Sequence, residues 1–145
     1  MNSIKNISAK DTYSIRKEVL RKGIDLPFKF NGDLDKDTFH LGAYKDGFLV
    51  GVASFMKVNL DFFNGTQYQL RGMATLYKVR GLGFGKLLIS EASNQLKQKG
   101  IAIIWCNARE VALKFYERNG FKIIGESFEI DKVGTHYKMY KKLNI

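Results

Sequence analysis

The chain is poor in residues that staple, kink or coordinate. One cysteine, Cys106, and one proline, Pro27, occur in 145 residues. A lone cysteine excludes an internal disulfide framework. Cys106 follows Ile103, Ile104 and Trp105, so it reads as a small core residue rather than a nucleophile. The two histidines, His40 and His136, have no ligand-like spacing with it, and no metal is expected. Asp33-Leu34-Asp35-Lys36-Asp37 imitates the start of a calcium loop. Thr38 stands where that loop needs glycine and Tyr44 where it needs a bidentate acid, which excludes it. These acids are expected to solvate a loop or to attract a cationic amine.

Long apolar runs are also missing. The longest uncharged stretch, Gly47 to Met56, is too short to span a bilayer and contains Gly51; it reads as a buried strand. Met1-Asn2-Ser3-Ile4-Lys5 has no apolar run behind it and does not read as a signal peptide, so a cytoplasmic location is the expectation. Acids are outnumbered: 14 Asp and Glu against 24 Lys and Arg, a net charge of +10. Such a chain attracts nucleic acid, anionic membranes or phosphate-bearing ligands. The lysines are scattered, with Lys138, Lys141 and Lys142 the densest group, and no nucleic-acid motif accompanies them. A solvated basic surface is expected, without a nucleic-acid or membrane partner.

What is present suits a soluble globular chain: 45% hydrophobic and 26% charged residues. The length predicts one domain over residues 1–145. Ile4 to Ile7 reads as a short strand, and Ser8 to Lys22 as a helix capped by Ser8 and stopped by Gly23. Residues 24–38 read as a loop. Strands are expected at Thr38–Tyr44 and Phe48–Val58 about an Asp46-Gly47 hairpin, and at Thr66–Thr75 after a second turn of that kind, Asn64-Gly65. Phe84, Leu88, Ala92 and Leu96 form one stripe of a helix over Gly83–Lys99. Ile101–Cys106 reads as a central strand, Ala108–Arg118 as a helix, and Phe121–Ile130 and Gly134–Leu143 as two last strands. This order predicts a mixed sheet with helices on both faces.

Arg80-Gly81-Leu82-Gly83-Phe84-Gly85-Lys86 stands between a strand and a helix. Glycines let backbone amides converge on an anion, and the helix that follows adds free N–H groups and a positive dipole end. The same pattern also serves as a tight strand–helix connection. Arg80 to Gly85 matches the Gln/Arg-x-x-Gly-x-Gly/Ala signature of the GCN5-related N-acetyltransferases. Asn107, Ala112, Phe115, Tyr116, Gly120 and Phe121 follow in that family's order. The chain thus resembles this family most strongly over residues 66–125.

The resemblance implies an α/β (α+β) acyl-CoA N-acyltransferase fold, mostly antiparallel, with about six or seven strands. It implies an acetyl-CoA-dependent N-acetyltransferase acting on an amine, with no metal. Arg80, Gly81, Leu82, Gly83, Phe84, Gly85 and Lys86 would hold the pyrophosphate. Met73, Ala74 and Thr75 would pair with the pantetheine arm beside a bulge, with the Ala74 amide or its neighbour polarising the thioester carbonyl; they also read as plain strand core. Asn107 is expected to cap a helix or to bind the arm, and Ala112 to lie beside the cofactor. Tyr116 would be the general acid, with Phe115 and Ala112 packed on the sheet. The base stays open among His40, His136, Glu126, Glu129 and bulk water. His40, Arg71 and His136 are candidates to bind the acceptor, Arg71 by clamping a carboxylate or by pairing with an aspartate. The loop 24–38 and the last two strands should shape that pocket. Homodimers are common in the family. A cofactor sensor without turnover is the second reading, and a nucleic-acid-binding domain the third.

Overall fold

The computed structural model describes residues 1–144. Eight strands form one sheet: β1 (Asn2–Ile7), β2 (Phe39–Lys45), β3 (Phe48–Lys57), β4 (Gln67–Thr75), β5 (Ile103–Arg109), β6 (Lys122–Ile123), β7 (Phe128–Ile130) and β8 (Gly134–Lys142). Their order is β1-β2-β3-β4-β5-β8-β6, with β7 also on β8. Only β4 and β5 run parallel. Helices α1 (Ala9–Ile15), α2 (Phe84–Gln98) and α3 (Leu113–Arg118) cover both faces. On one face α2 and α3 pack on Leu41, Phe55, Leu70 and Cys106. On the other, Ile15 of α1 packs on Val52 and Ala74. Among the described residues no helix is long and apolar enough to cross a membrane.

Local chemistry explains most of these elements. Asp46 and Gly47 have φ of 50° and 85°, and Lys45 pairs with Phe48. That is a two-residue hairpin whose twist needs positive φ at both positions. Ser8 caps α1 and Asp11 closes a capping box. Phe84, Leu88, Ala92 and Leu96 are all buried along α2.

Four expectations change. The expected helix 8–22 widens after Ile15 into a π turn over Arg16–Leu20. The connection before β4 is not a tight hairpin but a longer loop knitted by Gln67: its amide side chain donates to Leu60 and Phe63 carbonyls and accepts from the Leu60 amide. The expected helix from Ala108 begins at Leu113, since β5 runs on to Arg109 in pairing with β8. The expected strand 121–130 breaks into β6 and β7 about Gly125, whose φ is +79°.

The loop 21–38 is fastened by one buried ion pair. Arg16 is 0% exposed, and it donates to both carboxylate oxygens of Asp33 at 2.8 and 2.9 Å. The same guanidinium donates to the Phe28 carbonyl at 3.0 Å and to Ser54 Oγ at 2.7 Å. Asp33 also accepts from the Phe30 amide at 2.8 Å. Burial alone would raise the Asp33 carboxyl. Hydrogen bonds from Arg16 and Phe30, with the Arg16 charge, outweigh it and hold the group below the usual carboxylate range. The expectation that Asp33 solvates a loop or meets a cationic amine is therefore wrong: it is 6% exposed and bound to Arg16.

A buried charge left without its partner is costly. Asp33→Ala is expected to lower unfolding stability by about 3–5 kcal/mol near neutral pH, read from urea denaturation. The depressed Asp33 contributes fully above its unfolded value of roughly 4 and loses that contribution as pH falls through the folded value. The gap between wild type and variant should shrink in acid. A gap unchanged by acid would show that the pair is not its source.

Candidate active site

The parallel pairing of β4 and β5 lasts only from Gln67↔Ile103 to Leu70↔Cys106. Beyond it β4 stays with β3, while Asn107, Ala108 and Arg109 of β5 stay with β8. The two strands part and leave a wedge. The bulge expected here is in β4: Val52 faces Ala74 and Ser54 faces Arg71, so Gly72 and Met73 together oppose Ala53. Gly72 has φ of +64°, and a Cβ there would lie 3.0 Å from Phe30 Cε2 and 3.1 Å from Arg16 Nε. Glycine is demanded by conformation and by space. After the bulge, Leu76 donates to the Val50 carbonyl at 2.8 Å. Alternation along an antiparallel ladder then turns Ala74 toward Val52 and Thr75 toward the wedge. Past the bulge, the amide that this alternation leaves free of β3 is that of Thr75 and not that of Ala74.

The glycine loop stands on the end of β4 that leads into α2. Gly81 and Gly83 have φ of +81° and +88°, with nothing within 4 Å of where a Cβ would be. Their shape is fixed by the turn, and the space before them is open. Gly83 is the N-cap of α2, and the first-turn amides of Phe84, Gly85 and Lys86 have no intrahelical acceptor. Arg80 and Lys86 are exposed beside them. Two members differ from expectation. The Leu82 amide is already used, donating to Val79 at 3.2 Å. Gly85 answers to packing: a Cβ would stand 2.7 Å from Phe115 Cζ.

The wedge opens into a cleft of about 260 Å³ lined by Met73, Asn107, Ala112, Tyr116 and His136, among others. Tyr116 is 7% exposed and Phe115 is only partly buried. Phe115 and Ala112 both pack against the core, and in addition Phe115 rests on Gly85 of α2 and Ala112 lines the cleft. Tyr116 meets Phe115 and Phe121 edge-on, at centroid distances of 5.1 and 5.3 Å. Burial pushes its phenol well above the usual value, the nearby Cys106 adds to this, and Arg109 opposes it. Tyr116 therefore stays a neutral donor. Burial likewise pushes the Cys106 thiol up, which leaves it inert.

His136, 4% exposed, donates from Nδ1 to the Gly134 carbonyl at 2.7 Å. A carbonyl only accepts, so Nδ1 carries a proton, and in the neutral ring Nε2 has a lone pair to offer. His40 is different. Its Nε2 donates to the Asp33 carbonyl at 2.9 Å and its Nδ1 accepts from Ser54 Oγ at 2.6 Å. Both nitrogens serve the Arg16–Asp33 network, so His40 is neither a base nor an acceptor-binding residue. Glu129 accepts from Thr135 Oγ1 and does not line the cleft, nor does Glu126. Asn107 caps no helix; its Oδ1 accepts from Lys138 Nζ at 2.8 Å. Arg71 reaches the cleft with its guanidinium 4.6 Å from the Phe30 ring centroid. Phe30, Arg21 and Arg109 also line it. They come from separate elements with no shared spacing, and no sequence signal points to them.

In a helix interior Gly→Ala ordinarily gains about 1 kcal/mol. Gly85→Ala is expected to lose stability instead, because the new methyl must displace Phe115. Adding Phe115→Leu should recover part of the loss in a double-mutant cycle. A single variant more stable than wild type on chemical denaturation would refute the contact.

Comparison with known proteins agrees with this geometry. The acetyltransferase (GNAT) domain family matches residues 11–143. The uncharacterized N-acetyltransferase YitI of Bacillus subtilis (strain 168) is 39% identical over 145 residues, covering 99% of this chain and 97% of that one. The [ribosomal protein bS18]-alanine N-acetyltransferase of Haemophilus influenzae is 43% identical over 54 residues, 36% of this chain and 37% of its own. Among solved structures, a putative N-acetyltransferase from Lactobacillus plantarum superposes with a TM-score of 0.79 at 18% identity, covering 98% and 99% of the two chains. A parted β4–β5 pair, a glycine turn at the start of α2 and a family match over nearly the whole length lead to one conclusion: this chain is an N-acetyltransferase of the GNAT family.

Proposed function

We propose that the chain acts as one domain that moves an acetyl group from acetyl-CoA to a primary amine by direct attack within a ternary complex. The observation that carries this is the wedge between Arg71–Thr75 and Asn107–Arg109, with Tyr116 and His136 both on its wall. Coenzyme A fits the residues present. The amides of Phe84, Gly85 and Lys86, the open space before Gly81 and Gly83, and the charges of Arg80 and Lys86 suit a pyrophosphate. Strand-like pairing of the pantetheine arm suits the outward groups of Met73 and Thr75, with Asn107 and Ala112 opposite. Acetyl-CoA supplies a thioester, whose carbonyl carbon is the electrophile.

The chain's own residues then have three tasks. The amide of Thr75 or Met73 donates to the carbonyl oxygen as negative charge grows there. His136 Nε2 takes the proton that the attacking nitrogen must lose, directly or through one water. Tyr116 gives its hydroxyl proton to the sulfur as the C–S bond breaks. A phenol held protonated by burial suits that donation. A sensor that binds the cofactor without turnover needs neither group on the cleft wall, so their presence favours the enzyme.

Tyr116→Phe is expected to lower kcat about 10²-fold or more in a thiol-release assay, with cofactor affinity little changed, because the proton moves only in the transition state. His136→Gln is expected to lower kcat/KM by about 10²-fold, as for loss of a general base. Unaltered turnover in either variant would strike that residue from the mechanism. Separately, Gly83→Asp puts a like charge before the phosphates and strains a position with φ of +88°. Calorimetry should show coenzyme A binding weakened at least about ten-fold; normal binding would overturn the loop's assignment.

A further inference from the structure

The acceptor end of the cleft gathers three guanidinium groups from three elements. Arg21 comes from the end of the π turn, Arg71 from β4 before the bulge, and Arg109 from the end of β5. No aspartate or glutamate lines the same cleft. Among the described residues, none of the three arginines has a carboxylate within salt-bridge distance; the pairs formed are Arg16–Asp33, Lys57–Asp37 and the N-terminus with Asp46. Asp35 and Asp37 border the neighbouring groove behind Arg71, and Asp37 is paired with Lys57 at 3.9 Å.

The donors of the three side chains are largely unused. Arg21 donates from Nε to the Pro27 carbonyl at 2.8 Å and from Nη1 to the Leu20 carbonyl at 3.3 Å. Arg109 donates from Nη2 to the same Leu20 carbonyl at 3.3 Å. Arg71 makes no hydrogen bond among the described residues, and only the Phe30 ring supports it. Each guanidinium carries five N–H donors, so most of the fifteen or so face the cleft or water. Burial lowers the pKa of all three; for Arg21 the charges of Arg109, Arg71 and Arg16 add to it, and for Arg71 that of Arg16 adds to it while Asp33 opposes it. Like charges brought together and partly desolvated, with the nearest acid already bound elsewhere, are relieved by an anion.

On that ground we infer that the acceptor is a small amine carrying its own anionic group, a carboxylate or a phosphate, a few bonds from the reacting nitrogen. The arginines hold the anion, and the amino group is thereby directed toward His136 and the wedge. Amino acids and aminoalkyl phosphates belong to this class. Polyamines, aminoglycosides and peptides without a nearby acid do not, because their cations or neutral amides meet three positive charges and no compensating carboxylate. This inference rests on the acetyltransferase reading but concerns only the acceptor side.

The test is a binding measurement that needs no turnover. Ligand-observed NMR on the full chain, with coenzyme A present, would use matched sets: the common amino acids, their amides, their decarboxylated amines, aminoalkyl phosphates and spermidine. Anionic members should bind, their neutral and cationic counterparts should not, and added salt should weaken the binding. Arg71→Gln should reduce the affinity at least about ten-fold, as for loss of a hydrogen bond between charged groups. Arg109→Gln should do the same, and it guards against misfolding of the first variant, since Arg109 does not pack on Phe30. The carboxylate and phosphate arms decide which anion is held. Amides, decarboxylated amines or spermidine binding as well as the anions would overturn the inference, as would a panel with no anionic binder or a preference that survives both substitutions. A thiol-release assay on the same panel separates the two claims. Turnover of neutral or cationic amines keeps the acetyltransferase reading and sinks this one. Anion binding without thiol release against any amine does the reverse.

Discussion

The buried pair of Arg16 and Asp33 decides the shape of the acceptor side. One guanidinium reaches two carboxylate oxygens, the Phe28 carbonyl and Ser54 of β3, so it fixes three segments at once. The loop 21–38 has little regular structure, and this pair with its hydrogen bonds takes the place of a ladder. Phe30 is set by an amide donated to Asp33 and by the Arg16 guanidinium 4.0 Å from its ring. Phe30 in turn backs Arg71 and limits position 72 to glycine. The pair also has an electrostatic consequence. With Asp33 bound to Arg16, the Arg16 charge outweighs the Asp33 charge at Arg71, so the pair does not neutralise that guanidinium.

The bulge in β4 and the parting of β4 from β5 belong to one constraint. An extra residue between Arg71 and Ala74 changes which backbone groups face β3, and glycine alone fits at its start. Parallel strands that separate leave backbone groups without partners, and buried polar groups left so are costly. An extended arm laid in the wedge would satisfy them. On the function proposed above, the donor site would be an unfinished sheet, completed by a ligand that behaves as a strand. The glycine turn at the top of the wedge continues the same logic, because the amides of the first turn of α2 have no intrahelical acceptor.

The elements set by local chemistry were legible in the sequence. Asp46-Gly47 makes its hairpin whatever surrounds it, and the Phe84–Leu96 stripe makes α2 by period alone. The glycine turn depends on the conformation of residues a few positions apart. Elements that depend on distant partners were read less well. Phe121–Ile130 has the composition of one strand, but the bend at Gly125 splits it along β8. Asn107 looked like a cap because it precedes a helix in sequence; in space its nearer partner is Lys138, across the β5–β8 ladder. His40 and His136 were equivalent as letters. Only the positions of Ser54, Asp33 and Gly134 separate a histidine with both nitrogens engaged from one with Nε2 to offer.

The same division explains why one half of the site is read from backbone and the other from side chains. In the proposed function a cofactor of fixed chemistry would be met by amides, whose geometry a short motif with three glycines encodes. An acceptor is told from its competitors by charge and shape, and these are gathered from residues 21, 71 and 109, which no local pattern links. Discrimination between an anionic and a cationic amine needs repulsion as well as attraction. Three arginines without a carboxylate supply both, because the charge that holds an anion also rejects a polyamine. The net charge of +10 is spread over the whole chain, so the composition alone does not show where it matters. It matters where a cleft removes water from cations whose nearest acid is already bound, and that place is made by the Arg16–Asp33 pair.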